Sequence, residues 1–249
     1  AGIEARLGEL ERRYPGQIRF TGGEMLKSDA EVTAWLEKGP DADVILAFPM
    51  VTITLPLLRK LAESGKPTVQ FSVPYAGHDW THGAAYMQKG AKIELIASSD
   101  FADLDPYIPL FRTIHHLRHS KVLLISQPTA RPKTEGYTQR FGATFAFPSY
   151  LDLKAIYDGV GVEESRKLAG EFIQAAARVV EPTRDEIVDS MRLYIAMKKL
   201  LSQEQANAVA IDCLGGFGRK ELPAYPCIGF SRLNDAGLYG VCENDLDST

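Results

Sequence analysis

The sequence is short of cysteine, of long apolar runs and of basic charge, and each shortage closes off a class of protein. Its three cysteines, Cys213, Cys227 and Cys242, are odd in number and all late in the chain. A disulfide framework needs pairs, so a reducing cytoplasm is the simpler setting. No apolar stretch approaches the roughly 20 residues that a membrane-spanning helix needs. No secretory leader is visible, although the first residue is Ala1, which leaves room for one that was removed. The formal net charge of -4 lacks the broad basic footprint that nucleic acid or an anionic membrane would call for. There is neither an internal repeat of solenoid period nor a low-complexity tract.

What is there is ordinary globular material: 45% apolar and 24% charged residues, enough for one or two real cores. A chain of 249 residues is long for one domain and comfortable for two. Helical and strand periods alternate along it. Residues 2–14 place Ile3, Leu7 and Leu10 on one helical face. "QIRFT" (17–21) reads as a short strand. "SDAE" (28–31) has the form of a capping box, opening a helix that stops near Gly39-Pro40. "DVILAF" (43–48) and "PTVQFSV" (67–73) are strand-length apolar runs of the kind covered on both faces, and 52–64 between them is helical. "PYAGHDWTHG" (74–83) reads as a long loop and "KIELIAS" (92–98) as a strand.

A second alternation starts near Asp105-Pro106. It has a helix at 105–120, a buried strand "KVLLIS" (121–126), a strand "FGATFAF" (141–147) and three helices, the last opened by a capping box "TRDE" (183–186). The strand "AVAID" (208–212), a short helix stopped by Gly237, and the strand "LYGVC" (238–242) complete it. The expected fold class is therefore α/β, with two Rossmann-like domains of parallel sheets flanked by helices, residues 1–105 and 106–249. The first domain opens on a helix, as though its first strand were missing or placed elsewhere.

Chemistry concentrates in 213–247. Ligands of open α/β sheets sit beyond the carboxyl ends of the strands. Two predicted strand ends there deliver polar groups, Asp212-Cys213 and Glu243-Asn244-Asp245. Two carboxylates spaced i, i+2 point the same way if the backbone stays extended. Glu243 and Asp245 would then offer oxygens to a hard divalent cation such as Mg or Mn; the plainer reading is a solvated turn. "HHLRH" (115–119) has zinc-friendly i, i+4 histidines but no glutamate between them, and reads as a polar helix flank. His78 and His82 about Trp80 in the long loop have the residue types of sugar recognition; the plainer reading is a loop tryptophan that covers its own domain. "GGFG" (215–218) lacks the spacing of either a P-loop or a dinucleotide loop.

The segment "AIDCLGGFGRKELPAYPCIGFSRLNDAGLYGVCENDLDST" (210–249) resembles the central part of the L-fucose isomerase and L-arabinose isomerase superfamily, and "VEPTRDEI" (180–187) is similar too. The resemblance is specific over about forty residues and diffuse before them. It implies two Rossmann-like domains followed by a β-rich one, a homo-oligomer, and aldose–ketose interconversion through an enediol with bound Mn2+. By position, Glu243 and Asp245 match the family's acidic tip, as metal ligands and as catalytic acid/base groups. Glu221 alone stands in the window where a second catalytic carboxylate is expected. Ser231, Asn234, His78 and Trp80 are the candidates for sugar hydroxyls. The family's histidine ligand lies beyond Thr249, so the chain is expected to be a fragment or reduced relative, weak or inactive alone. The competing expectations are a two-domain sugar-binding module that needs no metal, and a scaffold for oligomerisation.

Overall fold

A computed structural model describes residues 2–39, 41–51, 55–74, 76 and 79–247. It is α/β, with two parallel sheets and helices about each, in two compact units, Ala1–His116 and Leu117–Thr249.

The first unit runs α1 (Ile3–Arg13), α2 (Asp29–Glu37), β1 (Ile45–Ala47), α3 (Leu55–Glu63), β2 (Thr68–Ser72), α4 (Trp80–Gln88) and β3 (Ile93–Ala97). A 3-10 stretch (Phe101–Tyr107) then leads into α5 (Ile108–Arg118). The sheet has the order β1-β2-β3, parallel throughout. Alternation sorts its side chains. Val69, Phe71 and Ile96 face Leu10 of α1 and Leu104, while Ile45 on the other face meets Val32 and Leu61 of α2 and α3. The rings of Phe71, Phe48 and Phe101 form a triangle, with centroids 5.6 Å (Phe48–Phe71), 4.9 Å (Phe71–Phe101) and 5.9 Å (Phe48–Phe101) apart.

The opposite face of β2 is polar and buried. Asp79, 1% exposed, accepts hydrogen bonds from Ser72 Oγ (2.6 Å) and Gln70 Nε2 (2.9 Å). Gly83 of α4 makes room for this group, since a Cβ there would lie 2.5 Å from Gln70 Oε1.

Three expectations are corrected here. Residues 18–27 form no strand; the Phe20 amide is satisfied by the Glu11 carboxylate (2.5 Å) instead of by a neighbouring strand. The stretch expected as a loop, 74–83, gives its last residues to α4, which begins at Trp80. The division between units comes after His116 and not near Asp105-Pro106, because Leu104 and Ile108 are buried and Tyr107 and Phe111 pack on the first core.

The second unit runs β4 (Lys121–Ile125), α6 (Glu135–Phe141), β5 (Thr144–Ala146), α7 (Tyr150–Asp158), α8 (Val162–Ala175) and α9 (Arg184–Gln203). It continues with β6 (Ala208–Ile211), α10 (Cys213–Gly218), α11 (Cys227–Asp235) and β7 (Tyr239–Cys242). The strand order is β5-β4-β6-β7, all parallel. One face, with Leu123, Ile125, Val209 and Ile211, is covered by α7, α9 and α11. The other, with Val122, Leu124, Ala208 and Ala210, meets Tyr137 of α6 and Leu246. Burial on both faces is why these strands read as unbroken apolar runs. Capping boxes start α7 (Ser149 with Asp152) and α9 (Thr183 with Glu186), and each holds its carboxyl below the usual range through hydrogen bonds from its Ser or Thr. Among the described residues no helix is long and apolar enough to cross a membrane.

Candidate functional site at the carboxyl edge of the second sheet

In the order β5-β4-β6-β7 the chain leaves β4 toward one edge and leaves β6 toward the other. The two connections part between β4 and β6, which makes the carboxyl ends of those strands a topological switch point, the usual ligand crevice of such sheets. The residues delivered there are polar. Asp212, directly after β6, caps α10 by accepting from the Gly215 amide (3.0 Å). Arg219, just past the end of α10, turns its guanidinium back. Nε donates to Glu221 (2.7 Å), and the same side chain reaches Asp212 Oδ2 and the Tyr150 hydroxyl, both at 3.3 Å. Gln127 of the β4 loop donates to the other Glu221 oxygen (2.6 Å). The Tyr150 hydroxyl donates to the Asp212 carbonyl (2.6 Å).

Two carboxylates thus bracket one guanidinium over a buried phenol. Burial, and then the negative charge of Asp212, hold the Tyr150 hydroxyl well above the ordinary tyrosine range. Beside this cluster Ser126 Oγ is buried without a hydrogen-bond partner. Phe217 of α10 packs against the exposed ring of Tyr225, with centroids 4.3 Å apart.

One strand over, β7 ends at Cys242 and the chain turns sharply. Glu243 (φ 57°) and Asn244 (φ 55°) are both left-handed, and the Asp245 amide bonds back to the Cys242 carbonyl (3.1 Å). The premise of an extended backbone that aims Glu243 and Asp245 the same way is therefore corrected: a tight turn separates them. Both are exposed, while Asn244 between them is 9% exposed with neither amide Oδ1 nor Nδ2 hydrogen-bonded. Leu246 then plugs the α6 face of the sheet, and Asp247 accepts from the Tyr137 hydroxyl (2.6 Å). That contact raises the Tyr137 pKa. Behind the turn, Cys213 and Cys242 meet with sulfurs 2.9 Å apart. Burial first, and then the Cys213 hydrogen bond, push the Cys242 thiol up to about 12.

The expected site residues divide among several places. Glu243 and Asp245 share the β7 turn. Glu221 is engaged by Arg219 and Gln127 on the α7 side, whereas the turn runs on to the α6 side, so the structure does not gather the three into one carboxylate set. Asn234, at the end of α11, gives both amide atoms to the backbone of Gly240, early in β7 and so toward the amino edge of the sheet. Ser231 is exposed in the middle of α11. Trp80 opens α4 of the first unit with a half-exposed side chain, and His78 lies outside the described residues.

Gln127, Tyr150 and Arg219 were not singled out as site residues from the sequence, and Asp212 was named only as a polar strand end. The available signal was the strand order, which puts the residues after "KVLLIS" and "AVAID" at one crevice, and no local motif carries that order. The one carboxylate missing near "HHLRH" comes from far along the chain: His115 Nδ1 lies 2.8 Å from Asp43 Oδ2. A shallow depression of about 390 Å³ between α2 and α3 is lined by Thr33, Leu36, Glu37, Lys60, Glu63, Ser64 and Lys66.

No family model matches the chain, and a search of curated proteins finds no match. The class that stands is an α/β protein of Rossmann-like parallel topology with a polar switch point in its second unit.

Proposed function

We propose that this chain carries the acidic part of a metal-dependent aldose–ketose isomerase site, with a sugar as substrate, as its likeness to the fucose and arabinose isomerases suggests. The observation that carries the reading is the place of the Glu243–Asp245 turn, at the carboxyl edge of a doubly covered parallel sheet beside its switch point. The donor set suits a hard divalent ion such as Mn2+: two exposed carboxylates, with a buried amide oxygen on Asn244 that has no partner. Glu243 and Asp245 would hold the ion, and the ion would supply Lewis-acid polarisation of sugar oxygens. For this chain's own residues, the role is to anchor the sugar end that the metal engages and to hold a carboxylate within reach of its carbon-bound proton. Glu221, salt-bridged to Arg219, serves this proposal as a positioning residue for the crevice. A homo-oligomer belongs to the same proposal by resemblance, and a reducing cytoplasm by the cysteine pattern.

Titration of the 249-residue chain with Mn2+, followed by the electron paramagnetic resonance of the free ion, tests it. Wild type is expected to bind Mn2+, Asp245→Asn and Glu243→Gln to lose most of that affinity, and Glu221→Gln to keep it. Equal binding by wild type and Asp245→Asn would overturn the assignment.

The exposed Tyr225 ring packed on Phe217, two residues before Arg219 in the chain, favours a second reading, sugar binding without metal. An aromatic face next to fixed hydrogen-bonding groups suits a sugar ring. Sugar binding that survives chelator and is lost in Tyr225→Ala would select that reading over the first.

A further inference from the structure

The three cysteines are few, but the fold brings two of them together. Cys242 is the last residue of β7, in register with Ile211 at the end of β6. Cys213 is the first residue of α10, two residues past Ile211, where the chain folds back over the end of β6. Both side chains belong to the apolar layer under α7, α9 and α11. Their sulfurs are 2.9 Å apart, and about 0.9 Å of approach would bring them to the covalent S–S length of roughly 2.05 Å. Cys213 is buried, Cys242 half-buried and Cys227, at the start of α11, exposed. Two thiols in contact at the tips of adjacent strands, one of them reachable from solvent, meet the geometric requirements of closure: proximity, a fixed backbone on both sides and access for an oxidant, with deprotonation setting the rate.

We infer that Cys213 and Cys242 form a reversible redox pair, oxidised by low-molecular-weight disulfides to an intramolecular disulfide that joins the carboxyl ends of β6 and β7. Solvent base takes the Cys242 proton, and the sulfur so freed attacks one sulfur of the small disulfide. A Cys242–S–S–R bond forms, the small S–S bond breaks, and one R–S⁻ leaves and takes up a proton. The Cys213 thiolate then attacks the Cys242 sulfur, the S–R bond breaks and the second R–S⁻ leaves. Two protein thiols lose two electrons and two protons in all, and one small disulfide becomes two small thiols. The bond would fix the residue immediately before Glu243, but the inference concerns the thiols alone and does not rest on the isomerase reading.

Glutathione disulfide is the probe, and the Cys227→Ser chain is the protein, since that exposed position leaves only the pair. Incubation is expected to remove both free thiols and to leave no glutathione adduct. It should also yield a proteolytic fragment in which the Cys213 and Cys242 peptides are linked, and dithiothreitol should restore the thiols. Two thiols still free, or a persistent glutathione adduct, would overturn the pair. The wild-type chain gives an independent check, in which a linkage from Cys242 to Cys227 instead of Cys213 would also overturn it. Circular dichroism of each protein before oxidation separates these results from misfolding.

Discussion

The hydroxyl of Tyr150, at the start of α7, donates to the backbone carbonyl of Asp212, 2.6 Å away, and so pins a helix to the strand end from which the candidate crevice opens. That carbonyl sits where the chain leaves β6 for α10, and the same phenol is reached by Arg219. Tyr150→Phe should destabilise the second unit by about 0.5–1.5 kcal/mol, because the carbonyl loses one of its two donors and keeps the Gly216 amide (2.9 Å). The phenol is also held protonated above its usual pKa. Above a pH of about 10 the unfolded chain releases this proton while the folded one keeps it, so the contribution is full below that pH and drains as the pH rises further. Urea titrations at rising pH should show this alkaline loss in wild type and a shallower one in Tyr150→Phe.

Asn244 combines a left-handed backbone with a buried amide that lacks partners. Glycine adopts that backbone without strain and carries no amide to desolvate. Asn244→Gly should therefore raise stability by roughly 1 kcal/mol, whereas Asn244→Ala, which keeps the left-handed strain, should not. Thermal denaturation of the two variants side by side decides this. If Asn244 serves a cation, the stabilised glycine variant should also bind Mn2+ more weakly.

Gly240 lets β7 lie directly on α11: a Cβ there would meet Phe230 Cα at 2.7 Å and its ring at 2.8 Å. Backbone cannot yield as a side-chain tip can, so Gly240→Ala should cost about 1–3 kcal/mol by overpacking. Guanidinium unfolding with an unchanged slope and a lower midpoint is the expected result.

Closing the Cys213–Cys242 pair encloses the chain between positions 29 apart in sequence. A loop of that length, cross-linked, should stabilise the unit by about 3–4 kcal/mol through the entropy of the unfolded chain. Unfolding midpoints of oxidised and reduced Cys227→Ser protein measure the difference directly.

In the first unit, removing the acceptor of a buried polar group should be more harmful than removing surface charge. Asp79→Ala strands the Ser72 hydroxyl and one of the two Gln70 amide hydrogens, the other donating to Ser72 Oγ, and should lose about 1–3 kcal/mol, read from urea unfolding.

Much of this architecture was legible because local and global signals agreed. "KVLLIS" and "AVAID" are strands buried on both faces, and the Thr183–Glu186 box starts α9 as its spacing implied. At Ser28 the agreement is partial: its hydroxyl accepts from Glu31 N, but the Glu31 carboxylate takes the Lys27 amide instead of the Ser28 one. "QIRFT" misled because Phe20 is apolar for packing and not for pairing, its amide being bonded to a side chain. At the acidic tip the plainer reading, a solvated turn, is the one the backbone follows, although "CENDL" does not by itself fix two consecutive left-handed residues. The switch-point cluster was mostly invisible because it is made by strand order, which joins Gln127, Tyr150, Asp212 and Glu221 across 94 positions of chain.

Leu246 gives the acidic turn a fixed length. It is the stopper on the α6 face of the sheet, seated there by the two left-handed residues that precede it. Deleting one residue between 243 and 245 would advance the frame, and an aspartate would take the stopper's seat among Val122, Leu124 and Ala210. Natural variation in this segment should therefore proceed by exchange of side chains and not by insertion or deletion, whatever ligand the carboxylates serve.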